Sequence, residues 1–162
     1  MQNLKDIPCL ILGIGNILWA DEGFGVRVVE AFNDKYAFTD PNNVIADGGT
    51  LGMYLYDRIC RAEKLLIFDC CDFKGKPGEL RVLRNDDVKL WTSTKISPHQ
   101  TGMNDLLVAA AVRGAVPKEI AVVGFQPILL DDYGGSLSPE AKANIDEAVR
   151  DGYEIVRGWN VG

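Results

Sequence analysis

Residues that could carry chemistry stand where buried, strand-like runs end. The run from Pro8 to Gly13 leads into Gly13-Ile14-Gly15-Asn16-Ile17-Leu18 and then to Asp21 and Glu22. The run Leu65-Leu66-Ile67-Phe68 leads directly to Asp69. A polar stretch ahead of an apolar segment carries His99, the only histidine of the chain. Ligand sites of open α/β sheets form outside the carboxyl ends of parallel strands, so these positions are candidates together. Glu22, Asp69 and His99 offer two oxygen donors and one nitrogen donor from separate segments. Imidazole with carboxylates suits a divalent first-row metal such as nickel or zinc. Three protein ligands leave coordination positions open, as a catalytic or exchange-competent centre requires. Two converging carboxylates also raise each other's pKa, and a cation relieves that repulsion. Each residue has an ordinary structural use as well: Glu22 at a helix N-terminus, Asp69 as a turn cap, His99 as a packed side chain.

Other chemistries fit less well. Gly13-x-Gly15 begins like a dinucleotide fingerprint, but Leu18 stands at the third glycine, and Asp21 and Glu22 put negative charge where a pyrophosphate would lie. One histidine cannot make H-E-x-x-H, and G-x-S-x-G is absent. Ser97 and His99 are near in sequence, which is not a nucleophile–base geometry. Asp47-Gly48-Gly49-Thr50 only superficially resembles an aspartic protease loop and reads more simply as a glycine-rich turn into a capped helix. Cys9, Cys60, Cys70 and Cys71 include no C-x-x-C pair, and three of them lie in or beside apolar runs, so they read as buried reduced thiols.

The elements that must position these residues alternate between strand and helix, which predicts a largely parallel sheet covered on both faces. Strands are expected at Pro8 to Gly13, Val44 to Ala46, Lys64 to Asp69, Glu79 to Leu83 and Ile120 to Phe125. Helices are expected from Glu22 to Tyr36, from a Thr50 cap toward Cys60, from an Asn85 cap to Trp91, from Thr101 to Arg113, and after Ser138 and Pro139. Thr92 to His99 reads as loop. Lys76-Pro77-Gly78 is too compact for a crossover helix, so the Glu79 strand should run antiparallel and make the sheet mixed.

The chain has 162 residues, which predicts a single domain over 1–162. Lys and Arg number 17 against 23 Asp and Glu, a net charge of −6, with no basic cluster; nucleic acid and anionic membrane surfaces are disfavoured partners. The N-terminal apolar run is short and lacks a small-residue cleavage site, and no stretch approaches the ~20 apolar residues that span a bilayer. A cytoplasmic protein is the expectation.

Taken together the motifs look like one family. Gly13-x-Gly15-Asn16-x-Leu18-x-x-Asp21-Glu22-Gly23-x-Gly25-Val26 resembles the N-terminal signature of the nickel-iron hydrogenase maturation endopeptidases. Asp47-Gly48-Gly49-Thr50 and Ser97-Pro98-His99-Gln100 follow in that family's order, so the resemblance spans about Cys9 to Leu137. The segments from Leu18 to Gly25 and from Asp131 to Leu137 look like the branch serving membrane-bound uptake hydrogenases. The resemblance implies a three-layer α/β/α sandwich on a mixed, mostly parallel five-stranded sheet. It implies metal binding by a glutamate of the first loop, an aspartate ending the third strand and a histidine of a later loop. By motif position these are Glu22, Asp69 and His99. Asp72 is a nearby rival for Asp69, although Asp69 directly follows the apolar run.

The activity implied is removal of a C-terminal extension from a hydrogenase large-subunit precursor once nickel sits in that subunit. Nickel is then presented by the substrate, with other divalent ions able to enter the site in vitro, and the free enzyme is expected to be a monomer. Glu22, Asp69 and His99 are the catalytic candidates. Whether the ion polarises the scissile carbonyl, activates water or only holds the target strand stays open at this level. A non-enzymatic nickel sensor or escort for the large subunit is the alternative reading, and a small cofactor-binding enzyme on the same sheet is a third.

Overall fold

The computed structural model describes residues 4–49, 55–88, 98–129, 133–134 and 136–161. Five strands form one sheet: β1 (Ile7–Ile14), β2 (Val44–Gly49), β3 (Ala62–Cys70), β4 (Leu80–Arg84) and β5 (Glu119–Phe125). Their order is β2-β1-β3-β5-β4. β1 pairs in parallel with β2 and β3, β3 pairs in parallel with β5, and β4 runs antiparallel to β5. The mixed sheet expected from the compact Lys76-Pro77-Gly78 connection is therefore present. Gly78 takes a positive φ of 88° there, and its N–H reaches Gln126 O at 2.9 Å.

β1, β3 and β5 read as nearly continuous apolar runs because both of their faces are covered. Helices α1 (Phe24–Lys35), α4 (Pro139–Ala143) and α5 (Ile145–Gly158) lie over one face, and α2 (Tyr56–Arg61) and α3 (Pro98–Arg113) over the other. Leu65 and Ile67 of β3 face α3, while Leu66, Phe68 and Cys70 face α1 and α5. β4 forms the edge: only Leu83 is buried and Val82 stands exposed.

Several local expectations are corrected. Asp47, Gly48 and Gly49 are strand residues of β2 and not a turn; Asp47 pairs with Gly13. Thr50, proposed as a cap, lies outside the described residues. Asn85 does not cap the helical turn that follows it. Its Oδ1 accepts from Ile120 N at 3.1 Å and its Nδ2 donates to Glu119 at 3.1 Å, so the amide ties β4 to the start of β5. The helix opened by Ser138 does begin there, with Pro139 in its first turn and Ala141 N donating to Ser138 Oγ at 3.2 Å. It breaks at Asn144, whose Nδ2 donates to Glu140 O at 2.8 Å and so competes with the helical ladder. α3 starts at Pro98, three residues before the expected Thr101, so Pro98 and His99 belong to its first turn and not to a loop. Proline suits that position, where its missing N–H costs no ladder bond.

Candidate active site

The winding of the chain makes the site. From β1 the chain passes through α1 to β2 on one side; from β3 it moves to β4 and β5 on the other. The gap between the carboxyl ends of β1 and β3 is thus the point where strand order reverses, and ligand crevices of such sheets open there. Glu22 follows β1 on a 3-10 turn, Ala20–Gly23, and Asp69 is the next-to-last residue of β3.

Two glycines let that turn sit against the strand ends. Gly15 has φ +144°, and a Cβ there would overlap the carbonyl oxygen of Glu22. A Cβ on Gly25, in the first turn of α1, would overlap the carbonyl oxygens of Ile14 and Phe68. Backbone thus meets backbone where any larger residue would push Glu22 away from β3. The Cys70 thiol, next to Asp69, registers the result. Burial pushes its pKa well above the ordinary thiol range, and the negative charges of Asp69, Asp21 and Glu22 and the neighbouring Cys71 push the same way. The negative charges of Asp69 and Glu22 thus both reach the Cys70 thiol. Cys70 stays protonated at neutral pH and is a poor nucleophile. All four cysteines are reduced and buried, as the sequence implied.

Asp69 is fully buried, and its Oδ1 accepts from Cys70 N at 2.8 Å. Strand alternation puts it on the face of Leu65 and Ile67, which is the α3 side. Asp72 is engaged elsewhere. Its Oδ1 accepts from Lys74 N at 2.9 Å and from Gln126 Nε2 at 3.2 Å, and the Lys74 bond leads in holding its pKa below the usual carboxylate value. α3 approaches from the same end as the two carboxylates. Only residues 114–118 separate its last turn from β5, and Lys118 N bonds Glu63 O at 2.8 Å near the start of β3. Its first turn, with Pro98 and His99, accordingly lies about 24 Å away, toward the carboxyl edge. The His99 side chain lies outside the described residues. Among the described residues, no group of three or more His, Cys, Asp or Glu side chains is set to hold a metal ion. The structure thus sets the turn that carries Glu22 against the end of β3 that carries Asp69, and places the backbone of His99 at the corresponding end of a helix over Asp69's face.

Asp21 has a role the sequence did not disclose. It is fully buried, and its Oδ2 accepts from Ile128 N and Leu129 N at 3.0 Å each and from Ser138 Oγ at 3.0 Å, while Oδ1 accepts from Ser138 N at 2.8 Å. Its own N–H returns a bond to Leu129 O at 2.9 Å. The carboxylate is a clasp between the turn that carries Glu22 and the segment after β5. Just before it, Ala20 is held at φ +45°, a conformation costing a non-glycine residue about 1–2 kcal/mol. The adjacent Asp-Glu pair gives no hint which member faces inward, because the clasp's donors lie more than a hundred residues away.

Comparison with known proteins decides the family. The family model described as hydrogenase maturation protease matches residues 26–155. The chain belongs to the hydrogenase maturation protease family. This protease is 43% identical over 158 residues to the hydrogenase expression/formation protein HupD of Bradyrhizobium diazoefficiens, across 97% of this chain and 82% of that one. It is 40% identical over 141 residues to the hydrogenase 2 maturation protease of Escherichia coli, across 86% and 85% of the two chains. Among solved structures, the hydrogenase maturating endopeptidase HybD from Escherichia coli superposes with a TM-score of 0.89 at 37% identity, covering 95% of this protease and 94% of HybD. The three-layer α/β/α arrangement is thus shared with that endopeptidase, and peptide-bond hydrolysis is the chemistry the site has to serve.

Proposed function

We propose that this maturation protease removes the C-terminal extension of a nickel-iron hydrogenase large-subunit precursor of the uptake type, and that Glu22, Asp69 and His99 contact nickel carried by that substrate. The observation that supports this most directly is the approach of the Glu22 turn to the Asp69 end of β3 at the switch point of the sheet, with α3 beginning over Asp69's face. The donor set fits the ion: two carboxylates and an imidazole are acceptable ligands for nickel, and three ligands leave positions for donors of another chain. When bound, nickel would be held by Glu22, Asp69 and His99 and would supply a positive charge that polarises the scissile carbonyl, activates water or holds the target strand. Glu22 and Asp69 contribute fixed negative charge that favours a cation over an empty site. The clasp through Asp21 holds the turn of Glu22 in one geometry, so little reorganisation accompanies substrate binding. Cys9 and Cys70 take no part, since burial keeps each thiol protonated at neutral pH.

A three-ligand site of hard and borderline donors holds nickel more weakly than cysteine thiolates do. The metal therefore acts as a checkpoint delivered with the precursor and not as a resident cofactor. The test compares metal-free protease acting on nickel-loaded and nickel-free precursor. Cleavage of only the loaded form is expected; efficient cleavage of the nickel-free form would end the checkpoint reading. Glu22→Gln keeps the shape of the side chain and removes its charge, and its rate on loaded precursor should fall by at least about a hundredfold.

A further inference from the structure

Beside Glu22 the protein exposes a cluster of large apolar side chains. Six of the eleven large apolar side chains exposed among the described residues, Ile17, Leu18, Trp19, Ile128, Leu129 and Tyr133, belong to two short segments, and they are between 38% and 64% exposed. These segments are bound into one edge. Trp19 and Tyr133 form an antiparallel bridge, Gly134 N donates to Leu18 O at 2.6 Å, and the two rings meet edge to face at 4.8 Å. Asp21 accepts from Ile128 N and Leu129 N behind them. Ile17 also lines a cavity of about 350 Å³ whose walls include Ala20, Gly23 and Leu137. A buried carboxylate with four donors is thus used to hold apolar side chains in water, in a chain whose net charge is −6. Clustered exposed apolar surface of this kind marks interaction sites, and pre-organisation lowers the ordering cost of binding.

We propose that the edge made by Ile17–Trp19, Ile128, Leu129 and Tyr133 is the surface on which the large-subunit precursor docks, through an apolar segment flanking its cleaved bond. This rests on the peptidase reading above. Trp19 is three residues from Glu22 on the same turn, so a chain lying across Glu22 passes over this edge. The cavity lined by Ile17 also carries Arg27, Glu30, Asp34 and Lys142, so it offers a polar rim next to the apolar edge, and the aromatic pair is the rigid anchor of that edge, since such residues dominate interface energetics.

The test uses the whole chain and purified, nickel-loaded precursor. Leu18→Ser with Tyr133→Ser should raise KM about tenfold and leave kcat within about twofold, because uniform binding is lost and chemistry is not. Val112→Ser, on the last turn of α3, removes a still more exposed apolar side chain far from the site and should change neither constant. If the double variant loses its thermal transition, Tyr133→Ser alone should raise KM about threefold. An unchanged KM, or a fall in kcat at constant KM, overturns the docking proposal. So does a wild type that sediments as a dimer which the double variant dissociates without a change in KM, since the edge would then face a second copy. Direct binding of loaded precursor separates the two readings. A wild type that binds through this edge but does not cut removes the peptidase reading and leaves docking standing; one that cuts with a KM indifferent to the substitutions removes docking alone.

Discussion

On the α1 and α5 face of the sheet the core is aromatic. Phe24 stacks on Phe125 with ring centres 4.5 Å apart, Phe32 lies 5.8 Å from Phe68, and Tyr36 stacks on Tyr153 at 4.2 Å. On the α2 and α3 face the buried side chains are aliphatic residues with cysteine and methionine, among them Leu10, Leu12, Ile59, Ile67 and Leu106. The first face carries Glu22, and there backbone meets backbone at Gly25 while Asp21 pins the turn. The second receives Asp69 from β3 and His99 from the first turn of α3. Ring packing with preferred geometries and a hydrogen-bonded carboxylate fix position closely. Aliphatic packing fixes volume and tolerates exchange more readily. The two faces thus hold the candidate donors by different means: the turn of Glu22 is pinned through the buried carboxylate of Asp21, Asp69 is buried within a strand, and His99 stands in the first turn of a helix.

That contrast can be broken most severely at Gly25. Alanine is favoured over glycine inside helices by about 1 kcal/mol, but here its Cβ would overlap two carbonyl oxygens. Gly25→Ala should therefore destabilise by about 3 kcal/mol and depress cleavage at least tenfold, read by urea denaturation and by precursor processing. A stabilised, active variant would show that α1 does not need its close approach.

Asp21→Asn tests the clasp itself. Asparagine presents an amide donor where the structure offers only donors, so at least one bond is lost and one buried N–H is left unpaired. A loss of about 2–3 kcal/mol in urea denaturation is expected, with Asp21→Glu failing to restore it because the longer side chain overfills the site. A change below about 0.5 kcal/mol would remove the clasp from the account.

Cys9 sharpens the comparison through pH. Burial on the aromatic face raises its pKa to about 12. Above the unfolded thiol's pKa near 9, the unfolded chain releases a proton that the folded chain retains, so stability falls as pH rises, by about 1.4 kcal/mol per unit between roughly pH 9 and 12. Below pH 9 this group contributes no slope. Chemical denaturation of wild type and Cys9→Ala across pH 8 to 11 should show a shallower decline in the variant; parallel declines would count against it.

The smallest stability effect belongs to the other face. His99→Ala should change unfolding free energy by less than about 1 kcal/mol, because alanine is the better helix former at a first-turn position, while processing of loaded precursor is abolished. Retention of the wild-type rate would remove His99 from the site.

The sequence by itself determined the kinds of residue at the site and the strands that carry them. Continuous apolar runs marked β1, β3 and β5 because burial on both faces leaves no polar alternation, and Lys76-Pro77-Gly78 marked the antiparallel edge because so few residues cannot cross a sheet. Ser138-Pro139 marked a helix start, since capping is local chemistry. Asp69 could be preferred to Asp72 from its place at the end of such a run. Only the tertiary structure decided which carboxylate of Asp21-Glu22 turns inward, because the donors to Asp21 come from Ile128, Leu129 and Ser138. Asn85 read as a cap and became a tie to β5, and Asp47-Gly48-Gly49 read as a turn and became strand, for the same reason: their partners are remote in the chain. The crevice that the candidate residues border forms only because the sheet order reverses between β1 and β3. Local propensity fixes an element within a few neighbours, whereas a site assembled across a switch point depends on pairings whose energy appears only when distant segments meet.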